Sequence, residues 1–566
     1  MKCFQKKKFL NFFRNKSRLS NLDVKTYNRC MSFRLLFKLI IITSIFLPLR
    51  AFALVYDEAD VLEDKIFVTR VEFEKTSIFE CGVKCKKIKS LPTPPSKSVT
   101  ALLAPFGKNL PPVLRARGSE DGRYIGAWRS DGKTRIIQIV DLVKQTSFIR
   151  EEKISNETLQ EETRLLVWKD STLFFLSDKD GHNSIYKIDA SNLNTQNFEG
   201  EKQIGGNFSV GEFLPLENGK IAFIANISDP YLFELFIKDV NGAVATKIDS
   251  DVSYGNAIVK KGDQIFYSKR GSFGFEVFSY NLKTKKINPL PLPKPKASKH
   301  LEAISYETVK FGDLNGSLLK PKTQTETTTL IVWLHGGPHR QASKALHPFR
   351  SYGVYDSALS YITNETHVSV LKLDYPGSVG HGKNLSESIY QNVGSIDVEK
   401  TLEAIEIAKE KLGAKKVYVV GPSYGGYLAL KIASKNSPLI DGVFSVNGVT
   451  DWRNLFNQIQ GSPLIALFGK NKTEVSEELW AAAGIYADIQ NTDNKKPIVI
   501  GFGNQDRNVP FAQSVAMINF LKANKKNVKE VVFKNEGHAL LKKSSVKQFC
   551  LEVLKLIGEK KKSCDF

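Results

Sequence analysis

Hydrophobic and polar positions follow two different patterns along this chain, and the change comes near residue 288. From residue 54 to that point, short apolar runs of strand length alternate with polar turns, and helical periodicity is sparse. Beyond residue 300, apolar runs of strand length alternate with longer amphipathic stretches. The first pattern is typical of an all-β domain, and the second of an α/β domain with a mostly parallel sheet and flanking helices.

The first region contains a loose repeat of paired strands. Each unit is an apolar strand, a polar turn and a second strand, with a step of about 45 residues, the length of one propeller blade. Four units are visible, beginning at Asp121, Ser171, Gly219 and Gly262. Because one unit cannot bury both its faces alone, we expect a β-propeller-like domain over residues 54–288, with room for about five blades. A β-sandwich is the alternative.

A proline-rich stretch over residues 289–300 follows and predicts a stiff linker. Beyond it, residues 301–566 predict the α/β domain. The elements that we expect there are an opening hairpin (Ile304 to Phe311 with Ser317 to Leu319), strands at Thr328 to Leu334, Val368 to Leu373, Val417 to Val420, Val443 to Val446, Pro497 to Gly503 and Val528 to Phe533, and a helix at Val398 to Leu412.

The amino terminus, residues 1–53, reads as a basic leader with a signal peptide. It holds 12 Lys and Arg against the single acid Asp23. From Met31, a basic stretch, the apolar run Leu39 to Leu47 and the small-residue site Ala51-Phe52-Ala53 follow in the order of an export signal. We therefore expect cleavage near Ala53 and a periplasmic or secreted protein. The alternative is an uncleaved inner-membrane anchor, and the segment also allows transient membrane association.

Net charge is +22, and the leader supplies half of it. The rest is spread thinly, without an arginine-rich helix or a basic strip interleaved with aromatic residues, so we expect no nucleic-acid binding. Hydrophobic residues make up 42% and charged residues 25% of the chain, which is ordinary for a globular protein and excludes wholesale disorder.

Four cysteines remain after cleavage near Ala53, namely Cys81, Cys85, Cys550 and Cys564. An even number suits an oxidising compartment, and three pairings are possible. The pairs that are close along the chain, Cys81–Cys85 and Cys550–Cys564, are favoured over free thiols. No metal site is expected, because no histidine or second cysteine pair lies near Cys81 and Cys85.

The candidate chemistry centres on the run from Val417 to Tyr427. A β-branched strand ends there in Gly421-Pro422-Ser423-Tyr424-Gly425, and a helix-forming run follows at once. This strand–turn–helix context around Gly-x-Ser-x-Gly is the nucleophile elbow of α/β-hydrolases. The turn is so tight that Gly421 and Gly425 must lack side chains. Ser423 is therefore the predicted nucleophile.

Partners for Ser423 follow in the order acid, then histidine, that α/β-hydrolases use. Asp506 lies in the turn after one predicted strand, and His538 lies on the loop after the next. His538 is the only histidine downstream of Ser423, whereas Asp493, a rival acid, precedes its strand. We predict that His538 is the general base and that Asp506 orients its imidazole.

The second half of the chain resembles the prolyl oligopeptidase family of serine peptidases, and most of all its acylaminoacyl-peptidase and dipeptidyl-aminopeptidase-like branch. The motifs that carry the resemblance are His335-Gly336-Gly337-Pro338-His339, Asp374-Tyr375-Pro376-Gly377-Ser378, Gly394 with Asp397-Val398, Ser423-Tyr424-Gly425-Gly426-Tyr427, Asp506 with Val509-Pro510, and Glu536-Gly537-His538. Two positions depart from the family pattern. Pro422 stands where members often have tryptophan or glycine, and Pro376 where they have arginine.

The resemblance implies further features. It implies a propeller of seven or eight blades, and it favours the Gly337 amide as an oxyanion donor beside the amide of Tyr424. His335 and His339 are expected to be structural. Independently of the resemblance, Trp452 and Phe456 follow the predicted strand Val443 to Val446 and are candidates for an acyl-side substrate pocket, although their spacing fits a protein core equally well.

These observations predict an exported serine peptidase that hydrolyses short peptides through an acyl-enzyme, with no cofactor and no metal. Two alternatives remain at this point. The first is an esterase with the same triad, and the second is a catalytically inactive propeller-based binding protein. The sequence leaves open the P1 preference, exo- or endo-cleavage and the oligomeric state.

Overall fold

The computed structural model describes most of residues 55–564. The gaps are residues 63–64, 73–74, 82–83, 89–102, 104, 108–109, 112, 131–134, 153–165, 195–197, 241, 256–257, 272–273, 294–303, 323–327, 459–463, 465–466, 470–474, 493–494 and 562. The leader over residues 1–53, Asp493 and most of the predicted linker therefore lie outside the described residues.

Five antiparallel groups of four strands make up the N-terminal region among the described residues. Strands that are consecutive along the chain pair with each other in every group. The strands are β1 (Val55–Leu62), β2 (Lys65–Glu72), β3 (Lys75–Cys81), β4 (Cys85–Ile88), β5 (Val113–Gly118), β6 (Tyr124–Ser130), β7 (Arg135–Asp141), β8 (Thr146–Glu152), β9 (Leu166–Lys169), β10 (Thr172–Ser177), β11 (Ser184–Asp189), β12 (Glu201–Ile204), β13 (Val210–Pro215), β14 (Lys220–Asp229), β15 (Leu232–Asp239), β16 (Thr246–Ser250), β17 (Val259–Lys261), β18 (Gln264–Gly271), β19 (Gly274–Asn281) and β20 (Ile287–Pro289).

Each group contains two strands more than the repeat predicted from the sequence. The inner strands carry the apolar residues, and Phe175 on β10 and Phe223 on β14 are almost fully buried. Outer strands such as β12 and β16 are short and polar, with several exposed side chains. An outer strand pairs along one edge only, so it lacks the strong apolar pattern by which buried strands are recognised.

The first and fifth groups share one sheet. β1 pairs in parallel with β19 through Val55 opposite Gly274 and Tyr56 opposite Phe275. The beginning and the end of the N-terminal region are thus hydrogen-bonded to each other. Chain length predicts five units and the family resemblance seven or eight, and the described residues contain five groups.

Eight strands form the sheet of the C-terminal region, in the order β21-β22-β24-β23-β25-β26-β27-β28. The pairs β21–β22 and β22–β24 are antiparallel, and all others are parallel. The strands are β21 (Ile304–Phe311), β22 (Leu314–Pro321), β23 (Thr329–Leu334), β24 (Ser369–Leu373), β25 (Lys416–Pro422), β26 (Gly442–Val446), β27 (Ile498–Gly503) and β28 (Val528–Phe533). Each corresponds to a strand that the apolar pattern predicts.

Helices cover both faces of this sheet. They are α1 (Arg350–Thr366), α2 (Lys383–Glu387), α3 (Ile396–Leu412), α4 (Tyr424–Ser434), α5 (Trp452–Gln458), α6 (Glu477–Ala483), α7 (Tyr486–Gln490), α8 (Phe511–Ala523) and α9 (Lys543–Leu556). The residues of α1 and α9 pack into one apolar cluster, and those of α3, α4 and α8 pack into another on the opposite face. Because both faces are covered, β23, β24 and β25 are almost continuously buried, as parallel strands usually are.

The N-terminal region touches the loops at the carboxyl edge of the parallel strands. Asp229, at the end of β14, accepts hydrogen bonds from the Thr308 hydroxyl at 2.7 Å and from Lys344 Nζ at 2.6 Å. Gln341 Nε2 donates to the carbonyl oxygen of Pro230 at 2.8 Å. Because Gln341 and Lys344 follow β23, the strand groups lie against the edge where Ser423 is also found.

Among the described residues there are two disulfides, Cys81–Cys85 and Cys550–Cys564, which is the pairing that the sequence favours. The second one ties the C-terminal segment to α9, and both of its cysteines are buried. Among the helices of the described residues, none has both the length and the apolar composition needed to cross a bilayer.

Candidate active site

Ser423 occupies a strained turn between β25 and α4. Its backbone has φ 55° and ψ −119°, a combination that side-chain-bearing residues rarely adopt. A β-carbon on Gly425 would lie 2.0 Å from the carbonyl oxygen of Leu334, and one on Gly421 would lie 2.5 Å from the same atom. Both glycines are therefore required by the close crossing of β23, as the elbow motif predicts.

Pro422 fits this turn without disturbing the sheet. The register between β25 and β23 ends at Val420 opposite Trp333, so no ladder hydrogen bond on that side requires an N–H from Pro422. On the other side, the next residue continues the pairing, because the Ser423 N–H donates to the Val446 carbonyl at 2.8 Å. The departure from the family pattern at Pro422 is thus compatible with the elbow.

Ser423, His538 and Asp506 form one continuous hydrogen-bonded chain. His538 Nε2 lies 3.0 Å from Ser423 Oγ, and His538 Nδ1 lies 2.8 Å from Asp506 Oδ2. The other carboxylate oxygen of Asp506 accepts the backbone N–H groups of Asn508 and Val509. The structure therefore brings together three residues that come from the ends of β25, β27 and β28.

Two backbone segments flank Ser423 where an oxyanion would form. Tyr424 begins α4, so its N–H has no partner within the helix. On the opposite side lies the loop after β23, and a β-carbon on Gly336 would stand 3.1 Å from Ser423 Cβ. The next residue, Gly337, has φ +133°. The use of the Tyr424 and Gly337 amides as oxyanion donors stays a prediction.

Trp452 and Phe456 belong to an aromatic cluster that packs beneath the elbow. The Trp452 ring lies 5.7 Å from the Tyr424 ring and 5.6 Å from the Phe468 ring, and Trp452 is 7% exposed. Phe456 is half-buried against Phe468 and Trp480. These contacts place Trp452 in the core, next to Tyr424, and they leave Phe456 nearer the surface.

The prolyl oligopeptidase family model matches residues 355–562, a span that contains Ser423, Asp506 and His538. Residues 355–562 therefore form a domain of the prolyl oligopeptidase family.

Curated relatives match this chain at low identity. The acylamino-acid-releasing enzyme of Rattus norvegicus is 26% identical over 251 residues, which are 41% of this chain and 32% of the relative. Dipeptidyl peptidase family member 1 of Caenorhabditis elegans is 26% identical over 43% of this chain and 30% of its own length. The matched part of the chain spans about a third of the length of such relatives.

Solved structures with this fold extend the likeness to both regions. A puromycin-hydrolyzing peptidase of Mycobacterium tuberculosis has a TM-score of 0.64 over 90% of this chain and 81% of its own, at 14% identity. The acylaminoacyl peptidase of Pyrococcus horikoshii has a TM-score of 0.58 over 90% of this chain and 96% of its own, at 14% identity. The shared architecture is a set of N-terminal β-sheets followed by an α/β-hydrolase domain.

Asp397 is a buried acid of the prolyl oligopeptidase domain, and the family motif marks it without indicating what it contacts. Its Oδ2 accepts a hydrogen bond from the Tyr424 hydroxyl at 2.7 Å. Burial raises the pKa of this carboxyl from 3.8 to about 6, although the Tyr424 hydroxyl and nearby backbone N–H groups act in the opposite direction. Asp397 thus holds the side chain of Tyr424, the residue that follows Ser423.

Replacing Asp397 by asparagine should change how stability depends on pH. The folded pKa lies above the unfolded one, so this group stabilises the fold below pH 4, and that contribution is lost as the pH rises through 6. At about 1.4 kcal/mol per pKa unit, the loss is about 3 kcal/mol. We expect the unfolding free energy of Asp397→Asn, relative to the unchanged protein, to rise by that amount between pH 4 and pH 8 in urea titrations. Asp263→Asn, at an exposed ion pair, is the control, and a difference independent of pH would contradict the expectation.

Asn447 is a residue of the site that no motif indicated. It follows β26 with a left-handed backbone, φ 50°, and is buried. Its Nδ2 donates to the carbonyl oxygen of His538 at 2.7 Å, and its Oδ1 accepts the N–H of Gly503 at 2.8 Å. One carboxamide therefore joins the loop that carries His538 to the strand end that leads to Asp506.

His335 and His339 have structural surroundings, as expected from the sequence. The buried His335 ring lies 3.1 Å from Asp374 Oδ1 and 2.9 Å from the Ser378 hydroxyl. The other carboxylate oxygen of Asp374 lies 2.6 Å from His381 Nε2. His339 Nδ1 donates to the Gly377 carbonyl at 2.9 Å, and burial lowers the pKa of its ring to about 4, so the ring is neutral.

Proposed function

We propose that this chain is an exported serine peptidase that hydrolyses short peptides through an acyl-enzyme. The observation that carries the proposal is the unbroken hydrogen-bonded chain from Ser423 Oγ through His538 to Asp506. The names of its relatives, acylamino-acid-releasing enzyme and dipeptidyl peptidase, support an amide substrate rather than an ester.

The geometry allows each step of acyl transfer. As Ser423 Oγ attacks the scissile carbonyl, His538 Nε2 takes the hydroxyl proton, and Asp506 stabilises the imidazolium that forms. The N–H groups of Tyr424 and Gly337 would bind the negative oxygen of the tetrahedral intermediate. Collapse of the intermediate passes the proton to the leaving amine and leaves an acyl ester on Ser423. Water then repeats the sequence and releases the acid.

The N-terminal groups would restrict this chemistry to small substrates. We infer that the five groups close into a five-bladed propeller, with the β1–β19 pairing as the seam. Contacts of Asp229 and Pro230 with the loop after β23 support a position over the catalytic edge. A ring in that place would admit a short peptide and exclude a folded protein.

Export is the part of the proposal that the leader and the cysteines support. The order of basic, apolar and small residues up to Ala53 is that of a cleaved signal. Two disulfides suit an oxidising compartment such as the periplasm or the medium. Sequencing the amino terminus of the mature protein after cell fractionation tests this: a start at Leu54 in the periplasm or medium is expected, whereas an intact leader in the membrane fraction would show an anchored protein.

Labelling with a fluorophosphonate tests the catalytic assignment. The reagent should modify the unchanged protein at Ser423, and Ser423→Ala should abolish labelling and hydrolysis together. Ser434→Ala, at the end of the same helix, is the matched control. Equal labelling of the Ser423→Ala protein would overturn the proposal, and comparison of matched aminoacyl amides and aryl esters would separate a peptidase from an esterase.

Substitution of Asn447 should lower kcat and leave KM little changed. Asn447→Gly keeps a residue suited to φ 50° but frees the His538 loop, and Asn447→Asp also loses the donor to the His538 carbonyl. A misplacement of about 1 Å typically costs about 100-fold in rate, so we expect kcat to fall by about that factor with KM little changed. Asn436→Gly, at another left-handed asparagine, is the control. Unchanged kcat in both Asn447 variants would exclude this role.

A further inference from the structure

Tyr352 brings a hydroxyl close to the nucleophile, although no motif includes it. A β-carbon on Gly336 would lie 2.9 Å from the Tyr352 hydroxyl and 3.1 Å from Ser423 Cβ. Because both atoms lie so close to one point, they are no more than about 6 Å apart. Tyr352 lies in the first turn of α1, and its side chain therefore reaches back to the loop beside Ser423.

Arg340 lies on the same loop, four residues after Gly336. Its Cγ is 3.1 Å from the position that a β-carbon on Gly337 would occupy, so the side chain packs across that glycine. Its guanidinium donates through Nη1 to the His339 carbonyl at 3.1 Å. Burial raises the pKa of the Tyr352 hydroxyl, and the adjacent Arg340 guanidinium acts in the opposite direction through its charge and a hydrogen bond. The two side chains are thus neighbours over Gly336 and Gly337.

The acids of the site are already committed elsewhere. Asp506 pairs with His538, and Asp397 accepts from Tyr424. Glu536 Oε1 accepts the backbone N–H groups of Leu541 at 3.0 Å and Lys542 at 2.6 Å. In the part of the chain that the structure describes, no carboxylate forms an ion pair with Arg340. Among the described residues, the Arg340 guanidinium therefore has no carboxylate partner, although it lies on the loop that passes beside Ser423.

A guanidinium in this position suits a carboxylate ligand. It presents five N–H donors in a planar fork that matches the two oxygens of a carboxylate, and its contacts with the His339 carbonyl and the Tyr352 hydroxyl account for two of them. The partly buried surroundings strengthen such a contact relative to one in water.

We propose that Arg340 is the anion-binding group of the active site and that its ligand is a carboxylate of a short peptide substrate. Tyr352 acts as a positioning residue, because its hydroxyl orients the guanidinium over Gly336 and Gly337. The inference rests on the proposed peptidase function and names its substrate class. The carboxylate has two possible sources, the free carboxyl terminus of the peptide or an acidic side chain.

Binding to the Ser423→Ala protein tests the inference without chemistry. The probes are three acetylated peptides: Ala-Phe-Ala with a free carboxyl terminus, the same peptide as its amide, and Ala-Phe-Glu amide. In calorimetric titrations, one or both carboxylate peptides should bind at least about 10-fold more tightly than the neutral amide, and which of them does so identifies the source. Arg340→Gln in the same background should bring the ratio of affinities close to one, and Arg123→Gln, at an ion pair with Asp141, should leave the ratio unchanged.

Two further variants separate recognition from folding. Arg340→Lys keeps the charge but loses the fork, so a reduced preference that still exceeds that of Arg340→Gln is expected. Tyr352→Phe should lower the preference for the carboxylate peptide without abolishing it. Equal affinities for all three peptides, or an Arg340→Gln variant that keeps the preference, would overturn the inference. Labelling is measured on the unchanged protein, and peptide affinities are measured on Ser423→Ala. If Ser423 is labelled by the fluorophosphonate but the three peptides bind equally, this inference alone is overturned. If Ser423 is not labelled but the carboxylate preference is retained, the proposed reaction alone is overturned.

Discussion

Asp506→Asn should lower kcat by about four orders of magnitude in a peptide hydrolysis assay. Asp506 Oδ1 accepts two backbone N–H groups, so the oxygen of the new amide should occupy that position and its NH₂ group should face His538. An NH₂ group cannot accept the proton of Nδ1. The imidazole proton is then held on Nε2, where the ring can no longer take the proton of Ser423 Oγ. The loss therefore comes from the wrong tautomer rather than from a displaced ring.

The assay includes a second acid as its control. Asp493 is the rival that the sequence offers between Ser423 and His538, and Asp493→Asn should retain activity near that of the unchanged protein. KM should change little in Asp506→Asn, because the Asp506 side chain is fully buried behind His538 and is out of reach of a peptide. More than about a hundredth of the original kcat in Asp506→Asn, or a large loss in Asp493→Asn, would show that another residue orients His538.

Lys372→Met should lower the free energy of unfolding by about 3 to 5 kcal/mol. Lys372 on β24 and Asp356 on α1 form an ion pair at 2.9 Å, and both side chains are almost fully buried. Burial lowers the pKa of Lys372 and raises that of Asp356, while their mutual attraction acts in the opposite direction for each. Removing the lysine leaves a buried carboxylate without a counter-charge. Urea unfolding followed by circular dichroism measures the loss.

A double variant distinguishes loss of charge balance from loss of packing. Lys372→Met with Asp356→Asn removes both charges and keeps an acceptor for the His347 N–H, which donates to Asp356 Oδ2 at 2.6 Å. We expect it to regain most of the stability lost in Lys372→Met. Lys320→Met, at a half-exposed pair with Glu307, should cost no more than about 1 kcal/mol. A double variant no more stable than Lys372→Met would assign the effect to packing.

Much of the fold could be predicted because its elements have strong local patterns. Strands such as β27 and β28 are apolar runs between polar turns, and the structure places them within a residue of the predicted bounds. Helix α1 was not predicted, although its apolar residues Tyr355, Ala358, Leu359 and Ile362 follow helical spacing. The outer strands of the N-terminal groups were missed because a short strand with one unpaired edge lacks a strong apolar pattern.

Some residues of the candidate site could likewise be predicted from the sequence, and others could not. Ser423, Asp506 and His538 could be found because motif, strand position and chain order each restrict the choice. Asn447 and Asp356 could not, since asparagine after a strand and aspartate in a helix are ordinary residues until their contacts are known. Arg340 likewise acquires meaning only from its neighbour Tyr352 and from the acids that have other partners.

By itself, the sequence determined the elbow and the α/β order around it, because a tight turn that needs two glycines and an apolar run that needs burial are local demands. Only the tertiary structure decided which distant groups meet, such as Asn447 with the His538 carbonyl, 91 positions away. The physical reason is that a hydrogen bond between remote loops depends on the packing of the whole sheet and leaves no periodic trace in the residues that form it.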